Sequence, residues 1–205
     1  VFGLLYYLGI DLLSYYIEAG SCMIYYNDSR ITIRLLKSED AELFAAEENS
    51  QGWDTNKEKF LMRLKDMRDK KCIALAADYL GSPAGYINIY PDCKWGALGG
   101  KGYTEIIDFA VLEKFRKKGI GSKLMDIAEQ LSAEYSDTVY LGVGLHSGYG
   151  SAQRLYVKRG YIPDGSGVWY GDKVCPQYAE CKNNDDLNLY LSLIHISEPT
   201  RHAQI

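Results

Sequence analysis

The residue types best suited to chemistry gather in one short run, Arg116-Lys117-Lys118-Gly119-Ile120-Gly121. Ile120, Leu124, Ile127 and Leu131 follow at helical spacing, which predicts a helix opening at this run. The apolar stretch 106–112 precedes it and reads as a strand. A helix leaves its first N–H groups unpaired and carries the positive end of its dipole there. Gly119 and Gly121 lack Cβ, so an anion can approach the backbone closely. Three cations stand beside those amides. Arg116, Lys117, Lys118, Gly119, Ile120, Gly121 and Ser122 are therefore read as a cradle for a phosphate or pyrophosphate. No G-x-G-x-x-G is present, and Gly100-Lys101 is followed by Gly102 where a nucleotide-hydrolysing loop needs a hydroxyl residue.

Two acids, Glu105 and Asp108, interrupt the strand that leads into the cradle. A central strand is buried on both faces, so each carboxylate must be solvated in a cleft or paired. Three positions separate them, so in a regular strand they face opposite sides, and only a bulge changes that. His146 is a further proton-transfer candidate through its near-neutral pKa, although a plain loop histidine is the simpler reading. Trp53, Trp95 and Trp169, with some of the 18 tyrosines, are candidates to line a substrate pocket, with aromatic core as the default. The five cysteines, Cys22, Cys72, Cys93, Cys175 and Cys181, show no C-x-x-C spacing, which predicts reduced thiols and no metal site.

Several elements must position these groups. Residues 31–36 alternate and read as the first strand. Ser38 is read as the cap of a helix reaching Glu48, and Thr55-Asn56-Lys57-Glu58 as a capping box opening a second helix. Residues 72–77 and 84–90 form a hairpin through Leu80-Gly81-Ser82-Pro83. The glycine-rich stretch 92–102 is a loop, read either as a lid over substrate or as a plain hairpin connection. After the cradle helix come a strand at 138–143, a short helix at 151–159 stopped by Gly160, a strand beginning at Tyr161, and a last strand in which Leu187, Leu189 and Leu191 alternate. The order is β-α-α-β-β-β-α-β-α-β-β, an α/β (α+β) pattern.

Two segments carry a family resemblance. VLEKFRKKGIGS, from Val111 to Ser122, resembles the acyl-CoA-binding motif of the GNAT N-acetyltransferases, V-x-P-x-[YF]-[RQ]-x-x-G-x-[GA], with Glu113 in place of the frequent proline. SAQRLYVKRGY, from Ser151 to Tyr161, resembles that family's A-x-x-L-Y-x-K-x-G-[FY]. The resemblance covers roughly residues 31–190. It implies the GNAT fold, a mixed, mostly antiparallel sheet with helices on both faces. It also implies acetyl-CoA as co-substrate and transfer of the acetyl group directly to a primary amine of a small molecule or protein. The thioester carbonyl would meet the backbone around Ala110 and Val111, where two parallel strands splay. Tyr156 matches the tyrosine near the CoA sulfur and is the candidate acid. Glu105 falls on the glutamate that serves as base in the histone-acetylating branch, and Asp108 where small-amine acetyltransferases carry an acid that meets the substrate; Glu105 is preferred as base and Asp108 as substrate contact or structural partner. Tyr149 stands where many members have asparagine near the CoA. The alternative function is a non-catalytic acyl-CoA-binding sensor or interaction module of the same fold.

Composition fits a globular domain: 47% hydrophobic and 24% charged residues in 205. A net charge of −4 argues against a general nucleic-acid partner and favours cationic substrates. Residues 1–22 are apolar but broken by Asp11 and Glu18, so no membrane anchor or signal peptide is expected. They are read as translated leader before Met23, with a hydrophobic extension that packs on the domain or a partner as the competing reading. The stretch LSLIHISEPTRHAQI at the far end reads as translated sequencing-adapter read-through, which places the acetyltransferase domain at 23–192 and an artefactual tail at 193–205. A cytoplasmic monomer or homodimer is expected.

Overall fold

The computed structural model describes residues 23–194. The expected leader and all but two residues of the expected tail lie outside the described residues. Two compact units result, one running through Tyr90 and joined by Ile106–Ala128, the other made of Pro91–Glu105 and the chain from Glu129.

The first unit holds β1 (Ile24–Asn27), β2 (Ile31–Leu35), α1 (Ser38–Ser50), α2 (Lys57–Arg68), β3 (Ile73–Tyr79), β4 (Ser82–Tyr90), most of β5 (Thr104–Val111) and the start of α3 (Ile120–Ser132). Its strands lie in the order β1-β2-β3-β4-β5. Strand β1 adds to the element order read from sequence. It exists because Asp28 Oδ1 accepts the N–H groups of Arg30 and Ile31, each at 2.7 Å, which folds the chain back into a hairpin. Those hydrogen bonds hold the Asp28 carboxyl down at about 2.

The caps of α1 and α2 differ from the sequence reading. Arg34 is buried at 7% exposure and needs carboxylates. Asp40 supplies both oxygens to its guanidinium, at 2.6 and 2.9 Å, and also accepts the Lys37 N–H at 2.8 Å. Asp40 therefore closes the helix start that Ser38 was expected to cap. At α2, Asn56 accepts the Lys59 N–H at 3.3 Å, one residue after the expected Thr55. Both helices pack on β4 through Phe44, Phe60 and Tyr86, whose ring centroids lie 5.1 to 5.6 Å apart.

The second unit holds the start of β5, β6 (Thr138–Gly144), α4 (Gly150–Lys158), β7 (Ile162–Tyr170), β8 (Lys173–Val174) and β9 (Leu187–Ile194), in the strand order β5-β6-β9-β7-β8. Parallel pairing of β5 with β6 is confined to Thr104↔Val139 and Glu105↔Tyr140. The pairs β6–β9, β7–β9 and β7–β8 are antiparallel. Strand β9 continues through Leu193 and Ile194, which pair with Val139 and Thr138. The register of β7 against β9 slips between Pro163 and Val168, where Gly165 and Gly167 take φ of +85° and +86°. Among the described residues nine strands, mostly antiparallel, and four helices make the mixed α/β fold expected. Among the described residues no helix is long and apolar enough to cross a membrane, and no cluster of His, Cys, Asp and Glu could hold a metal ion.

Candidate active site

Strand β5 carries both acids, and it is not regular. Asp108 has φ +51°, a left-handed conformation that costs a non-glycine residue free energy and breaks the alternation of side chains. Asn88 on β4 braces the distortion: its Nδ2 donates to the carbonyls of Ile107 at 3.4 Å and Asp108 at 3.2 Å. Gly85 on β4 allows the next residues to come close. A Cβ there would lie 2.6 Å from the Ala110 carbonyl oxygen and 3.3 Å from Val111 Cα. The left-handed Asp108 and the close approach at Gly85 thus set the backbone of Ala110 and Val111 by contacts that exclude a larger residue opposite.

After β5 a single 3-10 turn, Glu113–Phe115, leads to the cradle. It is pinned to the end of α1 by the Glu113 N–H donating to Gln51 Oε1 at 2.9 Å and by Lys114 on Glu47 at 2.6 Å. Lys117 and Gly119 then take φ of +61° and +84°. Alternation of this kind turns successive N–H groups toward one concave side. The first helical bond of α3 runs from Lys123 N–H to Gly119 O at 3.0 Å, so the N–H groups of Ile120, Gly121 and Ser122 precede the hydrogen-bonded ladder. A Cβ on Gly119 would meet nothing within 4 Å. The two glycines have different reasons to be there: a Cβ on Gly121 would lie 3.2 Å from Phe109 Cζ and 3.5 Å from Val111 Cγ2, so Gly121 lets α3 pack tightly on β5. Arg116 pairs with Glu113 at 3.1 Å and lies over Trp53, and Lys118 lies over Tyr79. A turn with outward amides, open space at Gly119 and flanking cations fits a pyrophosphate.

The two acids have different surroundings. Glu105, in the second unit, is buried at 3% exposure. Its Oε2 receives the Cys93 thiol at 2.6 Å and the Tyr140 hydroxyl at 3.3 Å. Burial, and then the hydrogen bond to Glu105, push the Cys93 thiol up to about 12. Tyr190 is likewise pushed up to about 12 by burial and by the Glu105 charge. Asp108, in the first unit, lies 3.5 Å from Lys59 and 3.6 Å from Arg63 of α2. Its Oδ2 is buried and accepts no hydrogen bond among the described residues. Lys59 also meets Glu48 at 2.9 Å and Tyr86 at 2.8 Å, so Asp108 sits at the edge of a charged network and not in bulk solvent.

Tyr156 lies on α4 in the second unit at 6% exposure, 5.8 Å from the ring of Tyr161. Burial, then the charge of Tyr149, raise its pKa, so its hydroxyl keeps its proton. His146 accepts the Gly148 N–H at Nδ1 and meets Asp185 through Nε2 at 3.0 Å. That bond, followed by one from Tyr149, lowers the Asp185 pKa. His146 thereby organises its own loop.

A family model, the acetyltransferase (GNAT) family, matches residues 33–161. The chain belongs to the GNAT acetyltransferase family. No curated protein matches it. Among solved structures it is similar to Ard1 from Thermoplasma volcanium, at 22% identity and TM-score 0.59 over 82% of this chain and 99% of that one. It is also similar to yncA from Salmonella typhimurium, whose structure holds its cofactor acetyl-CoA, at 16% identity and TM-score 0.56 over 86% and 100%. A ribosomal-protein-alanine N-acetyltransferase from Brucella melitensis matches at 17% identity and TM-score 0.57 over 79% and 98%. At these identities the likeness is one of fold.

Within this GNAT chain the first unit brings together Asp108, Ala110, Val111 and the whole cradle, and the second holds Glu105 and Tyr156. The partners of the acids were missed in the sequence. Cys93 and Tyr140 meet Glu105 from a loop and from β6, and Lys59 and Arg63 meet Asp108 from α2. Spacing along one element carries no signal for such pairs. The one available cue was the helical spacing of Lys59 and Arg63 beside Phe60, which places two cations on one flank of α2.

Proposed function

We propose that the chain is an acetyl-CoA-dependent N-acetyltransferase that passes the acetyl group directly to a primary amine of a small molecule or protein. The observation that carries this reading is the cradle: unladdered amides at the start of α3, shaped by positive φ at Lys117 and Gly119 and open at Gly119. Family membership and the acetyl-CoA held by yncA support the choice of anion. Bound acetyl-CoA supplies an activated acyl thioester. Residues 116–122 bind its pyrophosphate, and the backbone of Ala110 and Val111, fixed by the left-handed Asp108 and by Gly85, receives the thioester carbonyl.

Glu105 takes a proton from the acceptor's ammonium group. At 3% exposure its carboxylate is shielded from bulk solvent. The amine nitrogen then bonds to the acyl carbon as the carbon–sulfur bond breaks; Tyr156, kept protonated by burial, gives its proton to the leaving sulfur, and the proton that the acylated nitrogen sheds restores the phenol while Glu105 returns its own to solvent. Asp108 contacts the acceptor. One relative named above is a ribosomal-protein-alanine N-acetyltransferase, so a peptide amine is the first acceptor to try. The test is release of CoA thiol from acetyl-CoA with peptides bearing free N-terminal and lysine amines. Acceptor-dependent release supports the reading. Tight CoA binding with no release would make the protein an acyl-CoA-binding sensor.

A further inference from the structure

Cys93 and Tyr140 stand around the one buried carboxylate of the second unit's β5, and neither has a role in acetyl transfer. Cys93 is at 0% exposure and Tyr140 at 0%. Both reach the same atom, Glu105 Oε2, at 2.6 and 3.3 Å. Both also reach a second acceptor, the Trp95 carbonyl oxygen, at 3.6 Å from Cys93 Sγ and 3.1 Å from Tyr140 Oη. Each side chain has a single hydrogen to donate. The thiol and phenol hydrogens are therefore shared between a carboxylate whose charge changes and a carbonyl whose charge does not.

We propose that Cys93 and Tyr140 are positioning residues that hold the Glu105 carboxylate in place and favour its ionised form between turnovers. This rests on the reading of Glu105 as base. With Glu105 ionised, thiol and phenol both donate to Oε2. When Glu105 takes up a proton, one donor turns to the Trp95 carbonyl, so no buried hydrogen is left without an acceptor. The geometry requires donors that keep their hydrogens. Burial raises the pKa of both Cys93 and Tyr140, and the Glu105 charge raises them further. The third titratable group facing Glu105 in this unit is Tyr190 of β9, which is held neutral in the same way.

The carboxyl carbon of Glu105 reads this directly. The full-length chain is labelled with carbon-13 at glutamate carboxyls, and the Glu105 resonance is assigned by its loss in Glu105→Gln. Removing a donor to the charged form raises the midpoint of titration. Cys93→Ala and Tyr140→Phe are each expected to move it up by about one to two pH units, the scale of a hydrogen bond to a charged group. Cys93→Ser, which restores a donor, returns it toward the parent value. An unmoved midpoint in both Cys93→Ala and Tyr140→Phe overturns the proposal. The acidic limb of the rate profile, measured with acetyl-CoA and an amine peptide, should move with the midpoint. If that limb survives Glu105→Gln, the base assignment itself fails, and the carboxyl titration shows separately whether the two donors tune the group.

Discussion

Ser122→Glu should raise stability and weaken CoA binding at once. Gly119 caps α3, since its carbonyl accepts the first helical bond, so Ser122 is the third residue of the helix and is exposed. A glutamate at that position can reach back to the N–H of the cap residue and complements the positive end of the dipole, worth about 0.3–1 kcal/mol. The same carboxylate would occupy an amide of the cradle and repel a bound pyrophosphate. At roughly 5 Å and an effective dielectric constant between about 20 and 80, that repulsion is about 1–3 kcal/mol per unit charge. CoA affinity should thus fall roughly 5- to 150-fold while the melting temperature holds or rises. Calorimetric titration with CoA and thermal denaturation of the free protein read the two effects. Unchanged CoA affinity in Ser122→Glu would place the anion site elsewhere and refute the cradle.

Gly121→Val should lose both stability and CoA affinity, because its side chain meets Phe109 and Val111; overpacking of this kind costs about 1–3 kcal/mol, visible by thermal denaturation. Tyr156→Phe should keep CoA affinity and lower turnover by about tenfold to a thousandfold, the range of general-acid loss, whereas equal losses in binding and turnover would argue against the acid role. Glu105→Gln should abolish the acidic limb of the pH–rate profile and recover at high pH, where free amine accumulates. Stability should fall in alkali: burial raises the Cys72 thiol to about 12 in the folded chain, above its unfolded value near about 9. Its contribution is whole below pH 9 and is lost as pH rises toward 12, so denaturant midpoints at pH 8 and 11 should differ less in Cys72→Ala than in the parent.

The sequence showed those parts of the fold that rest on local periodicity. The face of α3 follows Ile120, Leu124 and Leu131 as read, with Met125 and Ala128 completing it in place of the half-buried Ile127. What depends on one residue's partners across space was hidden. Hairpin β1–β2 hangs on Asp28 turning its carboxylate to two backbone amides, and the β-favouring run IYYN is only four residues long, at the lower limit for a strand. The left-handed Asp108 is fixed by Asn88 on the neighbouring strand, and no rule of composition puts an aspartate there. Glu105 was legible as costly, because a carboxylate in an apolar strand must be answered. The donors that answer it, Cys93 and Tyr140, come from a loop and from β6.

Transfer of a labelled acetyl group tests the central claim most directly. The protein is incubated with acetyl-CoA carrying an isotopically labelled acetyl group and a peptide with a free N-terminal amine and a lysine, and both peptide and protein are weighed by mass spectrometry. Direct transfer by Glu105 and Tyr156 predicts one labelled acetyl on a peptide amine, an unlabelled protein, and little product from Tyr156→Phe. Label accumulating on the protein before the peptide, or a peptide left unmodified while Tyr156→Phe and parent behave alike, would contradict the account.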